Sequence, residues 1–263
     1  MKIPKTIHYC WLSGSRMPKE IIRCMDSWTS VLPDYKLVLW DANKFDTGSV
    51  PFVKEACRVK KWAFASDYIR LYALYTEGGI YLDTDVFVKK SFDAFLDNDF
   101  FTGVEYHRGF VKKGRHLLND DGTLKNGVDF FTYGIQIQAA VMGGVKGHPF
   151  LKSCLDWYCG RHFILEDGAF ADKLISPYIC AHIAAKYGFR YKDGLQKLSD
   201  GMTVYPSGVF PGGLSHVVEE SCAVHICRGG WRGFGSKIVL RLSRNNFLRM
   251  LAGKKKLDKP CCY

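Results

Sequence analysis

The chain has 263 residues, 47% of them apolar and 24% charged, with 37 Lys/Arg against 26 Asp/Glu for a net charge of +11. That length suits one large domain or two small ones, and the balance of apolar and charged residues excludes a disordered chain, a collagen-like repeat and a coiled coil. The excess positive charge points to a polyanionic partner: nucleic acid, an acidic membrane face or a phosphorylated substrate. Residues 236–263 hold eight Lys/Arg and one acid, Asp258, so this segment carries +7 of the +11.

Ten cysteines are present without C-x-x-C or zinc-finger spacing. In a chain long enough to build its own core they read as reduced, mostly buried thiols of a cytosolic protein. Met1–Thr6 lacks the apolar region of a signal peptide. No stretch approaches the roughly 18 apolar residues of a spanning helix. The expectation is a protein that neither crosses a membrane nor is exported.

In chain order, Ile7–Trp11 is a short apolar run that fits a buried strand, Pro18–Leu32 a helix and Tyr35–Trp40 a second strand. Apolar residues at 62, 65, 69, 72 and 73 give Trp62–Thr76 a helical period. Gly78-Gly79 stops that helix, as a left-handed C-terminal position requires. Ile80–Leu82 reads as a short strand running into Asp83-Thr84-Asp85. Phe100–Glu105 and Gln136–Met142 read as strands, residues 106–130 as a loop, and Phe150–Trp157 and Pro177–Tyr187 as helices. Such alternation predicts an α/β sheet with helices on both faces, and in such sheets ligands bind at the carboxyl ends of the strands.

Asp83 and Asp85 carry the strongest chemical signal. Strand alternation places residues i and i+2 on one face, so both carboxylates are expected to project together from the strand end. Close carboxylates need a compensating cation, proton or basic side chain. A divalent metal that also binds a diphosphate meets that need, and a solvated Asp-rich turn is the plainer alternative. On the preceding helix, Asp67 and Arg70 are i and i+3 and share a face. They read either as a surface ion pair or as groups that contact a sugar and its phosphate. Gln138 reads equally as a buried strand glutamine or as a polar group near a substrate.

The joined block Trp62-Ala63-Phe64-Ala65-Ser66-Asp67-Tyr68-Ile69-Arg70-Leu71 and Gly78-Gly79-Ile80-Tyr81-Leu82-Asp83-Thr84-Asp85 resembles glycosyltransferase family 32. Ile3–Trp11, Gly147-His148-Pro149-Phe150, Tyr205-Pro206, Phe210-Pro211, Ala223-Val224-His225 and Gly230-Trp231 extend the likeness, in order, across residues 1–235. The resemblance implies a glycosyltransferase-A (Rossmann-like) fold, a mixed central sheet flanked by helices, with residues 1–235 as catalytic domain and 236–263 as a basic tail. It implies a metal-dependent retaining hexose transfer from a nucleotide-sugar, with UDP as nucleotide and Mn²⁺ or Mg²⁺ as metal. Trp11 is then expected to stack near the base. Asp67 and Arg70 would contact the donor, and Tyr81 and Thr84 would line its site beside the acidic pair. Asp83, Asp85 and His225 would hold the metal, Gln138 would face the transferred sugar and Trp231 would close over the donor. Family members often read Gly-Ser-Trp, but this chain reads Gly229-Gly230-Trp231. A serine contact is therefore missing, which gives His225 more weight.

Lys237, Arg241 and Arg244 form a helical stripe, followed by Lys254-Lys255-Lys256. Residues 237–259 are expected to dock on an anionic membrane surface, which suits a glycan, polyprenyl-linked or lipid acceptor and a cytoplasmic location on the inner face of the cell membrane. A nucleic-acid-binding protein and a metal-dependent phosphohydrolase are the competing readings. The first lacks a recognisable binding motif and the second lacks a second ligand set, so no nucleic-acid partner is expected.

Overall fold

The computed structural model describes residues 1–226. Ten strands and six α-helices alternate along them. They are β1 (Thr6–Cys10), α1 (Lys19–Val31), β2 (Lys36–Trp40), α2 (Pro51–Arg58), α3 (Trp62–Glu77), β3 (Gly79–Leu82), β4 (Val86–Val88), β5 (Phe100–Tyr106), α4 (Arg108–Gly114), β6 (Ile135–Ile137), β7 (Val141–Gly144), α5 (Pro149–Tyr158), α6 (Ser176–Ala185), β8 (Gln196–Lys197), β9 (Met202–Tyr205) and β10 (Ala223–His225).

The main sheet has the order β2-β1-β3-β7-β5-β9-β8, with β6 paired to β5, and β10 and β4 form a separate antiparallel ribbon. β2, β1 and β3 are mutually parallel. β7 runs against both β3 and β5, and β9 runs parallel to β5. The sheet is therefore mixed, yet β1, β3, β5 and β9 all point the same way. Their carboxyl ends share one edge, and Trp11, Asp83 and Tyr106 all lie along it.

Side-chain alternation divides the apolar residues between the two faces. Tyr81, Phe100, Val104 and Met202 face the core shared with α2, α3, α5 and α6, while Ile80, Leu82, Phe101 and Phe210 face the core under α1 and the β4–β10 ribbon. Each central strand is thus covered on both sides, which explains its near-continuous apolar sequence.

Gly78 and Gly79 do more than end α3. Their φ angles are +70° and +108°. A Cβ on Gly79 would stand 2.7 Å from Thr6 O, and one on Gly78 would stand 2.9 Å from Lys146 N. Both the left-handed backbone and the close strand approach demand glycine here.

Three departures from the sequence reading have local causes. Gln136–Met142 is two strands, because the chain kinks away from β5 at residues 138–140. The stretch 106–130 contains α4, whose seven residues are too few and too polar to show a helical period. α2, β4, β8, β9 and β10 escape a reading by periodicity because most are two to four residues long. The tail, Trp231 and the boundary expected at residue 235 lie outside the described residues.

His8 ties the parallel half together. It is fully buried on β1. Trp40 Nε1 donates to its Nδ1 at 3.0 Å, so Nε2 carries the proton and donates to Gly78 O at 2.8 Å. This network needs a neutral ring. Burial lowers the His8 pKa, outweighing both the Gly78 bond and the carboxylate of Glu77. Below a pH of about 6.5 the unfolded chain takes up the proton more readily than the folded one. Stability should therefore be full above that pH and fall as the pH drops through the window. Urea titrations at a series of pH values should show this slope, and His8→Gln should flatten it.

Candidate functional site

The loop joining β3 to β4 holds the acidic pair. Asp83-Thr84-Asp85 is a tight turn, closed by Val86 N donating to Asp83 O at 2.9 Å. The turn, and not strand alternation, brings the two carboxylates together, because the extended strand ends at Leu82. Asp83 N donates to Ala140 O at 2.9 Å and Ile226 N donates to Asp85 O at 3.0 Å. The turn is therefore held by backbone on both flanks.

β10 brings in the third member. It pairs with β4 in the register His225↔Val86. His225 Nε2 lies 3.2 Å from Asp85 Oδ1 and 3.9 Å from Asp83 Oδ2. One ligand atom from each of Asp83, Asp85 and His225 falls within 4.8 Å of the others. All three side chains are partly exposed, at 24%, 17% and 20% respectively. They are open enough to be reached and enclosed enough to be held. α1 braces the ribbon from behind: Trp28 Nε1 donates to Val86 O at 2.7 Å, and Val88 N donates to Ser27 Oγ at 2.9 Å.

Arg70 stands between this cluster and the core. Its side chain is only 5% exposed and lies 2.8 Å from Asp67 Oδ1 and 3.3 Å from Asp83 Oδ1 through Nη2. Nη1 donates to Ala139 O at 2.6 Å, and the guanidinium carbon sits 4.8 Å from the centre of the Tyr81 ring. Burial works against its charge, but Asp83, Tyr81 and Asp67 together hold its pKa above the ordinary value. Asp67 is shifted differently. Burial pushes its carboxyl up to about 7, although Arg70 and the Ser176 backbone N–H at the start of α6 both pull it down.

The remaining expected residues divide. Trp11 follows β1 on the same sheet edge, half-buried, with its indole N–H donating to Ser15 O at 2.7 Å. Thr84 is the half-exposed middle of the turn. Tyr81 does not face the cleft. It is 1% exposed, supports Arg70 with its ring and donates to Asp83 Oδ1 at 3.0 Å. Gln138, expected to face the transferred sugar, is 1% exposed and serves the backbone. Its Oε1 accepts from Ala140 N at 2.9 Å, and its Nε2 donates to Phe210 O at 3.4 Å. Thr102 Oγ1 donates to Gln138 O at 2.6 Å and lies 2.9 Å from Val141 O. These bonds stabilise the kink at residues 138–140. That kink turns Ala139 O toward Arg70 and Ala140 O toward Asp83, two contacts no side-chain pattern announces. The small pair Ala139-Ala140 after Gln138 was the only trace of it in the sequence.

Part of the chain is similar to known proteins. Residues 18–102 match the family model described as "Glycosyltransferase sugar-binding region containing DXD motif". The matched residues run from α1 into the start of β5 and include Asp67, Arg70, Asp83 and Asp85. The chain is 29% identical over 153 residues to inositol phosphoceramide mannosyltransferase 3 of Schizosaccharomyces pombe, an alignment covering 57% of this chain and 35% of the relative. It is 25% identical over 162 residues to the initiation-specific alpha-1,6-mannosyltransferase of Candida albicans, covering 58% of this chain and 41% of the relative. The chain therefore spans well under half the length of these curated relatives. A solved glycosyltransferase involved in glycosylation of the major capsid of PBCV-1 superposes over 91% of this chain and 98% of its own, with 13% identity and a TM-score of 0.45. The matched residues contribute strands to the mixed, helix-flanked sheet described above.

Replacing Gln138 with Ala should leave the buried Ala140 N–H without an acceptor. An unpaired buried donor costs about 1–3 kcal/mol, so chemical denaturation should show a loss of that size.

Proposed function

We propose that this chain is a metal-dependent glycosyltransferase that moves a hexose from a nucleotide-sugar, a UDP-sugar in the first instance, to a glycan or glycolipid acceptor. The observation that carries the reading is the convergence of Asp83, Asp85 and His225 within 4.8 Å on the carboxyl edge of the sheet, with Arg70 against Asp83. Two carboxylate oxygens and one imidazole nitrogen suit Mn²⁺ or Mg²⁺, and the three protein donors leave coordination positions for diphosphate oxygens. When bound, such an ion neutralises charge on the leaving diphosphate.

The chain's own residues supply the rest. Arg70, fixed by Asp67, Ser66 and Ala139, offers a preorganised positive charge beside the acidic turn. Charge placed in advance stabilises what develops in the transition state without reorganisation. Asp67, partly exposed next to Arg70, is placed to accept hydrogen bonds from donor-sugar hydroxyls. Trp11 and the end of β1 offer an aromatic surface for the base. The bond between the anomeric carbon and phosphate oxygen breaks with its electron pair on the diphosphate. The acceptor oxygen bonds the same carbon and its proton passes to a diphosphate oxygen. This same-face course retains configuration and needs no carboxylate nucleophile, in keeping with a site whose acids are engaged by Arg70 and His225.

Titration with Mn²⁺ and UDP tests the reading directly. The wild-type chain should show a UDP-induced rise in Tm that requires the metal, and a screen of nucleotide-sugars should reveal Mn²⁺-dependent nucleotide release. Asp85→Asn should abolish the metal-dependent Tm rise and lower turnover at least 100-fold. An unchanged UDP response in Asp85→Asn would overturn the assignment.

The acceptor is read as membrane-presented because residues 237–259 concentrate the chain's positive charge. Each basic residue near an anionic surface contributes about 1 kcal/mol. Removing residues 237–263 should therefore reduce co-sedimentation with phosphatidylserine vesicles more than tenfold, while leaving phosphatidylcholine vesicles unaffected.

A further inference from the structure

The far half of the sheet's carboxyl edge carries a second polar pair that the metal and donor do not use. β5 ends in Val104-Glu105-Tyr106, and α4 begins after His107. His107 Nε2 lies 2.9 Å from Glu105 Oε1, with the side chains 34% and 13% exposed respectively. Among the described side chains, His107 meets the Glu105 carboxylate at Oε1. A carboxylate offers about four acceptor sites, so one tied to an imidazole at a single oxygen keeps the capacity to accept a bond from an incoming hydroxyl.

Its position relates it to the cluster. Strand parity puts Glu105 on the same face as Phe101 and Gly103, the face covered by the β4–β10 ribbon. A Cβ on Gly212 would meet Glu105 Cγ and Gln138 Nε2, each at 3.5 Å. Gly212 in turn bridges to His225, and Gly213 N donates to His225 O at 2.9 Å. Glu105 and the His225 imidazole therefore belong to residues on either side of one short backbone segment. In the main sheet β7, which runs the opposite way, separates β5 from β3, the strand that leads into the acidic turn. Ligands of α/β sheets occupy the crevice at the carboxyl edge. Trp11 and the acidic turn take the β1–β3 half of that crevice, and Glu105 with His107 takes the β5–β9 half.

We propose that Glu105 and His107 form the acceptor-sugar subsite of the reaction assigned above. Glu105 Oε2 accepts a hydrogen bond from an acceptor hydroxyl, and His107 is a positioning residue that fixes the carboxylate. The inference rests on the transferase reading, and it concerns the binding of a polyhydroxylated acceptor, not the breaking of the donor bond.

The test uses the full chain with the nucleotide-sugar that gives the most Mn²⁺-dependent release, and methyl glycosides of glucose, galactose and mannose as acceptors. For wild type, at least one glycoside should stimulate nucleotide release. Glu105→Gln should raise the acceptor KM at least tenfold, change kcat by less than threefold and leave the Kd for UDP in Mn²⁺ unaltered. Glu105→Asp should recover part of the loss, and His107→Gln should raise the acceptor KM less than Glu105→Gln does. Equal acceptor KM values in wild type and Glu105→Gln, a parallel loss of UDP affinity, or no stimulation by any glycoside would overturn the subsite while the Mn²⁺–UDP response stands. A wild-type chain without that response would overturn the transferase reading, and the subsite with it.

Discussion

A single buried guanidinium organises this molecule. Arg70 is reached by α3 through Asp67 and Ser66, by the β3 turn through Asp83 and by the kink before β7 through Ala139. Removing a charge this deep from water is expensive unless every donor finds an acceptor. That demand explains several features at once. Asp67 is kept within one helical turn, the Tyr81 ring sits against the cation, and the chain breaks its strand between β6 and β7 so that a carbonyl can turn inward. The helix, the turn and the kink are separate pieces of backbone, and they meet because they share one cation.

The kink is the costlier arrangement, because a continuous strand would have satisfied its ladder without help. Here Gln138 and Thr102 replace the lost pairing with side-chain bonds. A buried glutamine spent entirely on backbone is a structural investment in carbonyl direction. The gain is electrostatic: two carbonyl oxygens face Arg70 and the Asp83 N–H, so the acidic turn is set before any ligand arrives.

Much of this was readable from residue order. The period of Trp62–Thr76 located α3 to within a residue, and the spacing of Asp67 and Arg70 placed them on one face. The glycine pair marked the sharp entry to β3. Legibility failed where contacts between distant residues decide conformation. Nothing local says that Ala223–His225 will pair with Val86–Val88, because three-residue strands carry no period. Nothing local says that Asp83 and Asp85 converge through a turn, since strand and turn both begin from the same apolar run. Gln138 was ambiguous for a related reason, because a polar side chain in an apolar stretch has the same sequence signature whether it meets a substrate or a carbonyl.

The β4–β10 ribbon has a consequence for how the protein breathes. Two carboxylates sit on the early half of the chain and the imidazole arrives on a separate short ladder, outside the main sheet. Short peripheral ladders open at far lower free energy than central strands. Fraying of that ribbon would withdraw the imidazole while leaving Asp83, Arg70 and the eight-stranded core intact. Anything that bridges all three side chains would then act as a clasp, coupling occupancy of the cleft to the order of β10.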